Sequence, residues 1–176
     1  MIISLCGFMG AGKSTIGRHL SRFMGCDLID LDAYIEKKLG TKISEIFKAN
    51  GEEYFRTQEH TALQEIIEKY LQSPQKNLIL SLGGGTVTIE SCARLIKENT
   101  FCIYLYCPKH ELIKRLKRNM TNRPLLHNKS DKELENHISS LMQQRESIYK
   151  TCAHRTINTG NRKLQDVIED ILNNLN

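Results

Sequence analysis

Apolar residues in this chain fall into short unbroken runs, separated by longer stretches in which they recur every three or four positions. The runs are Ile2–Cys6, Leu28-Ile29, Leu78–Leu82, Phe101–Leu105 and a weaker His154–Ile157. Leu78–Leu82 and Phe101–Leu105 are almost continuously apolar, the pattern of parallel strands covered on both faces. Helical spacing marks Thr15–Met24, where Ile16, Leu20 and Phe23 share a face, and then Ala33–Leu39 and Ile43–Lys48. In Glu52–Leu71 the residues Phe55, Leu63, Ile66, Ile67 and Tyr70 form an apolar stripe. Further helices are predicted over Ile89–Glu98, Lys109–Asn119, Lys132–Lys150 and Lys163–Leu175. Such alternation predicts a single doubly wound α/β domain over residues 1–176, with a parallel sheet of about five strands. There is no internal repeat, low-complexity segment or linker. Asn119–Ser130 stands apart as a polar, turn-rich segment containing Pro124, and is expected to be a mobile loop over an active site.

Composition adds limits. A chain of 176 residues, 40% hydrophobic and 26% charged, is that of an ordinary soluble domain with a real core. No run approaches the length of a membrane span. The first strand leads straight into a glycine-rich loop, so a cleavable signal is not expected and a cytoplasmic location is. Six cysteines (Cys6, Cys26, Cys92, Cys102, Cys107, Cys152) form no C-x-x-C pair, which argues for reduced thiols and against zinc. Net charge is +5, with basic residues concentrated in Lys109–Lys132 around Arg115, Lys117, Arg118 and Arg123. Without interleaved aromatics, this favours anionic small molecules over nucleic acid as partners.

Chemistry enters with Gly7-Phe8-Met9-Gly10-Ala11-Gly12-Lys13-Ser14, directly behind the first strand and ahead of the first helix. It fits G-x-x-x-x-G-K-[ST], a loop whose backbone N–H groups close around nucleotide phosphates and whose glycines let them approach. Lys13 would reach the β/γ-phosphates, and the Ser14 hydroxyl would ligate the Mg²⁺ bridging them. The chain therefore binds a nucleoside triphosphate.

Other pieces lie where strands end, the edge at which open α/β sheets bind ligands. Asp30 and Asp32 follow Leu28-Ile29; two apart on an extended segment, both can face one cleft, although either can equally cap the helix near Ala33. Arg56 could present its fork to a carboxylate, or merely form a surface pair with Glu59, and taken alone the surface pair is favoured. Gly83-Gly84-Gly85 leaves bare backbone for a ligand to pack against, a reading favoured over a merely flexible strand exit. Arg123 in the polar segment could meet charge developing in phosphoryl transfer, while Arg145 on the following helix is equivocal by itself.

Taken together, G-F-M-G-A-G-K-S, L-I-D-L-D, I-F-x-x-x-G-E-x-x-F-R-x-x-E, L-G-G-G, R-P-L-L and an arginine before Tyr149 resemble shikimate kinase, from Ile2 to about Arg162. The resemblance implies a P-loop kinase fold of the nucleoside monophosphate kinase group, with a five-stranded parallel sheet and a lid near 119–131. It implies γ-phosphoryl transfer from ATP to the 3-hydroxyl of shikimate, on the route to chorismate and aromatic amino acids. By motif position, Lys13 and the backbone of Gly10, Ala11, Gly12, Ser14 and Thr15 would hold the phosphates. Ser14 would bind Mg²⁺ directly and Asp30 through water. Asp32 would orient the attacking hydroxyl and accept its proton, and Arg56 and Arg145 would clamp the carboxylate beside Gly83, Gly84 and Gly85. Arg123 would bridge toward the transferring phosphate. The adenine contact stays open among Arg115, Lys117, Arg118 and Arg162. A monomer is expected, with no nucleic-acid or membrane partner. The alternatives are a gluconate or nucleoside monophosphate kinase and, less favoured, a nucleotide-dependent module binding nucleic acid.

Overall fold

The computed structural model describes residues 1–73, 75–118 and 131–175. Five parallel strands form one sheet: β1 (Ile2–Cys6), β2 (Asp27–Asp30), β3 (Leu78–Ser81), β4 (Phe101–Tyr106) and β5 (Arg155–Asn158), in the spatial order β2-β3-β1-β4-β5. Every residue of β1 and β3 is buried, as is most of β4, which is why these runs are almost wholly apolar. β2 and β5 are the edges. Each keeps exposed or half-exposed positions, and their sequence signal is correspondingly thin.

Helices α1 (Lys13–Met24), α2 (Leu31–Leu39), α3 (Ile43–Leu71), α4 (Glu90–Asn99), α5 (Lys109–Arg118), α6 (Asp131–Cys152) and α7 (Leu164–Asn173) occupy the predicted intervals. A 3-10 turn, Thr86–Thr88, adds a short element that the periodicity does not announce. The two predicted pieces Ile43–Lys48 and Glu52–Leu71 join in α3, but Gly51, at φ 82° and ψ 176°, kinks the run. That conformation suits glycine and frees Glu52 and Arg56 to start a new direction.

The core is continuous, running from Ile3 and Leu5 of β1 through Leu20, Leu63, Ile67, Ile79, Ile103 and Leu105 to Ile171. All six cysteines are unpaired, and five are buried. Strand order reverses around β1, so the crevice beyond its carboxyl end lies between the ends of β3 and β4. The glycine-rich loop leaves β1 there, Gly83–Gly85 leave β3, and Asp30 and Thr159 stand at the ends of β2 and β5.

Candidate active site

The phosphate loop connects β1 to α1 with Gly7, Gly10 and Gly12 all at positive φ. At Gly7 the backbone also passes close to β4, since a Cβ there would stand 2.7 Å from the Leu105 carbonyl oxygen. Gly12 is the N-cap of α1 and offers no side chain, and the first turn holds no acid. The early N–H groups of α1, at Lys13, Ser14 and Thr15, are thus left for an anion. The Lys13 ammonium folds back over the loop, donating to the carbonyls of Gly7 at 2.8 Å and Phe8 at 3.2 Å.

Asp30 caps α2 and also reaches the phosphate loop. Its Oδ1 accepts from the Ala33 N–H at 3.3 Å and caps α2, while Oδ2 accepts from Ser14 Oγ at 2.8 Å and Ser81 Oγ at 3.1 Å. The extended segment ends at Asp30, because α2 begins at Leu31. Asp32 therefore lies in the first helical turn and not two residues along a strand, a correction to the expected local geometry. Both carboxylates still share one cleft. Burial, then the charges of Asp30 and Glu59, push the Asp32 carboxyl up from the usual 3.8 to about 6, against the opposing pull of Lys13.

Arg56 does pair with Glu59, at 2.8 Å, but the pair is not on the surface. Glu59 is 1% exposed, and its second oxygen accepts from the Thr86 hydroxyl at 2.6 Å. The pair is buried because α3 packs its Arg56–Glu59 face against the turn after β3, which a helical repeat alone does not reveal. The Arg56 guanidinium lies 5.4 Å from the centre of the Phe55 ring, and Glu52 takes its remaining edge.

Gly83–Gly85 join these parts. A Cβ on Gly83 would lie 2.8 Å from Asp32 Oδ1, and one on Gly85 would lie 2.7 Å from Arg56 Nη2. One on Gly84 would face Met9 N in the phosphate loop at 3.5 Å. The turn thus touches the acid, the phosphate loop and the guanidinium through successive residues. Its middle carbonyl accepts from the buried Tyr149 hydroxyl at 2.5 Å. Arg145, one helical turn earlier on α6, sets its positive charge beside that phenol. Burial is the larger influence and lifts Tyr149 to about 12, so it stays protonated.

Beyond the phosphate loop, a cavity of about 400 Å³ is lined by Glu111, Lys114, Arg115, Asn161, Arg162 and Lys163. Arg115 donates to the carbonyls of Thr159 at 2.6 Å and Gly10 at 3.4 Å, tying α5 to the loop. Arg162 lines the same cavity, held by Asp170 at 2.7 Å. Lys117 points elsewhere, toward Glu135 at 3.4 Å. Arg123, the expected lid and the Arg118 side chain lie outside the described residues. The site residues that the motifs do not announce are Ser81, Thr86 and Thr159, and Tyr149 enters the motifs only as the marker that follows Arg145, with no partner assigned. Thr86 carries a faint signal in standing directly behind the three glycines; the others meet their partners only through the fold.

Comparison with known proteins places nearly the whole chain beside one family. Residues 9–176 match the family model described as shikimate kinase. A shikimate kinase of Dehalococcoides mccartyi is 41% identical over 174 residues, spanning 98% of this chain and 92% of its own. The structure of shikimate kinase from Acinetobacter baumannii in complex with shikimate superimposes with a TM-score of 0.87 at 36% identity, covering 99% of this chain and 92% of that one. Shikimate kinase from Bacteroides thetaiotaomicron gives a TM-score of 0.90 at 28% identity, covering 99% and 98%.

Proposed function

The chain belongs to the shikimate kinase family, and from that premise we propose that the residues gathered at the strand ends carry the family's reaction. It transfers the γ-phosphoryl of ATP to the 3-hydroxyl of shikimate, giving shikimate 3-phosphate and ADP, in chorismate and aromatic amino-acid biosynthesis. The observation supporting our assignment of residues is the glycine turn, whose three members meet Asp32, the phosphate loop and Arg56 in order.

In this reading the phosphates lie along the N–H groups of Gly10 to Thr15, and Lys13 exchanges its two carbonyl partners for phosphate oxygens. Shikimate packs on the bare backbone of Gly83–Gly85. Arg56 and Arg145 take its carboxylate, since a guanidinium fork matches two oxygens. Asp32 accepts from the hydroxyls and orients the 3-hydroxyl toward the γ-phosphate. A carboxyl group held near 6 is ionised at neutral pH and still basic enough to take the proton as transfer proceeds. Positioning and charge stabilisation lower the barrier. Arg123 is assigned, by its motif, to the charge developing on the transferred group.

Ser14 Oγ and Asp30 Oδ2 meet 2.8 Å apart beside the loop, a pair of hard oxygen donors that fits Mg²⁺ bound directly by Ser14 and through water by Asp30. Among the described residues no group of three His, Cys, Asp or Glu could hold a metal. Bound there, Mg²⁺ would neutralise charge on the phosphate oxygens. The cavity between Arg115 and Arg162 is the proposed adenine site, Arg115 serving also as its floor toward Gly10.

We read the whole chain as one catalytic domain, a cytoplasmic monomer acting on ATP and shikimate without nucleic acid or membrane. No described helix is long and apolar enough to cross a membrane. A coupled assay of the purified protein tests the reaction: ADP release should require both shikimate and Mg²⁺. Turnover with gluconate or a nucleoside monophosphate in place of shikimate would replace this reading.

A further inference from the structure

The glycine turn has no side chains of its own with which to hold its place, so its carbonyls show what anchors it. Gly83 O accepts from the Thr86 N–H at 3.3 Å, and Gly85 O from the Thr88 N–H at 3.0 Å and the Thr88 hydroxyl at 2.6 Å. Those bonds stay within the turn. Gly84 O is held instead by Tyr149, 65 residues away on α6. A carbonyl only accepts, so the single phenolic proton is committed to Gly84 and the oxygen's lone pairs remain for a donor. Arg145 carries the nearby donor, on the same helix face at i, i+4 spacing. The Tyr149 ring cannot swing away: it is 1% exposed and stacks on Tyr104 of β4, with centroids 5.1 Å apart at 22°.

We propose that Tyr149 is a positioning residue for the acceptor substrate, holding the Gly83–Gly85 backbone and the Arg145 guanidinium in one fixed relation. The inference rests on the shikimate kinase reading given above. A bond from α6 to the middle glycine sets how far Arg145 stands from the surface against which shikimate packs. Without it, the turn keeps its local bonds but loses its register against α6. The loss is felt by the ring and its carboxylate, not by ATP.

Tyr149→Phe tests this, because the ring, its burial and its stacking are kept and one oxygen is removed. Initial rates with each substrate varied, alongside thermal denaturation, should show the KM for shikimate raised about tenfold, one hydrogen bond's worth. The KM for ATP should stay within about twofold on the same scale. In an Arg145→Lys background the added effect of Tyr149→Phe should shrink below about twofold, because groups acting together are not additive. An unchanged shikimate KM, full multiplicative effects in the double variant, equal losses for both substrates, or loss of folded protein would each overturn the proposal. Failure of the family reading looks different: the wild-type protein itself would then show no shikimate-dependent turnover.

Discussion

Glu52 Oε1 accepts from both Nε and Nη2 of Arg56, at 3.2 and 3.0 Å, on the edge of the guanidinium that a substrate carboxylate would use. The two side chains differ in freedom: that of Glu52 is 67% exposed, that of Arg56 18%. Arg56 is held from the other side by Glu59, so Glu52 is the partner that can leave.

A carboxylate that must be displaced weakens the incoming one. Glu52→Gln keeps the length and polarity but removes the competing charge. It should lower the KM for shikimate two- to threefold, the few tenths of a kcal/mol typical of an exposed i, i+4 pair, with the KM for ATP unchanged. Steady-state kinetics at low salt gives the clearest reading, and a rise in the shikimate KM would mean that Glu52 steadies the fork more than it blocks it.

With the proton-accepting role proposed for it, Asp32 would link catalysis to pH. Its carboxyl is raised from 3.8 to about 6, so kcat/KM for shikimate should fall as pH drops through about 6. The effect on stability has the opposite sense. A raised acid pKa means that the folded state holds the proton more tightly than the unfolded chain does, so stability declines as pH rises from 3.8 to about 6 and then levels off. The shift corresponds to about 3 kcal/mol. Asp32→Asn should therefore abolish turnover yet raise the denaturation midpoint at pH 7.5, with the gain vanishing below pH 4. Denaturant titrations at the two pH values check it.

Glu59 is buried, and Arg56 and Thr86 satisfy its two oxygens. Removing one partner of such a pair leaves a buried charge without compensation, typically about 3 kcal/mol. Arg56→Ala, which strands Glu59, should therefore lower thermal stability as well as shikimate use; Glu59→Ala should cost less stability, because Glu52 still pairs with Arg56. Arg56→Lys should recover part of the stability and little of the activity, since an ammonium cannot reproduce the fork. Comparing the midpoints with the kinetic constants separates the two effects.

How much of this is legible in the sequence depends on where each interaction runs. β1, β3 and β4 announce themselves because sheet neighbours and helices cover them on both sides, whereas β2 is reduced to Leu28-Ile29 because edge positions are free to be polar. The helix starts at Lys13 and Leu31 come two residues ahead of the expected Thr15 and Ala33: Lys13 and Ser14 are polar and carry no apolar period, and the buried Leu31 follows β2 without a break. The phosphate loop and the three glycines are local motifs and can be read directly, whereas Asp30 and Asp32 are visible as a pair whose cleft-facing and capping roles the residues alone leave equally open. Arg56 with Glu59 is different: an i, i+3 pair has the same spacing in water and in a core, and only the packing of α3 on the turn after β3 decides between them. The Tyr149 bond to Gly84 has no local trace at all.

Gly85 offers the sharpest test of the turn. A Cβ there would stand 2.7 Å from Nη2, 2.9 Å from Nη1 and 3.1 Å from Cζ of Arg56. The guanidinium is flexible at its far end, but Glu59 and Glu52 pin it from two sides, so it can yield only by giving up one of those bonds. Its φ lies outside the left-handed region, so alanine is not strained in the backbone and the effect isolates the contact. Gly85→Ala should raise the KM for shikimate by about tenfold to a hundredfold, the range for disturbing one charged hydrogen bond. ATP binding, measured by calorimetry without shikimate, should be unaffected, because the phosphate loop faces Gly84 and not Gly85. Combining Gly85→Ala with Glu52→Gln should restore part of the loss, since an Arg56 released from Glu52 can swing outward without breaking its pair with Glu59. If the double variant were no better than Gly85→Ala alone, the added methyl would be blocking shikimate itself and not displacing the arginine.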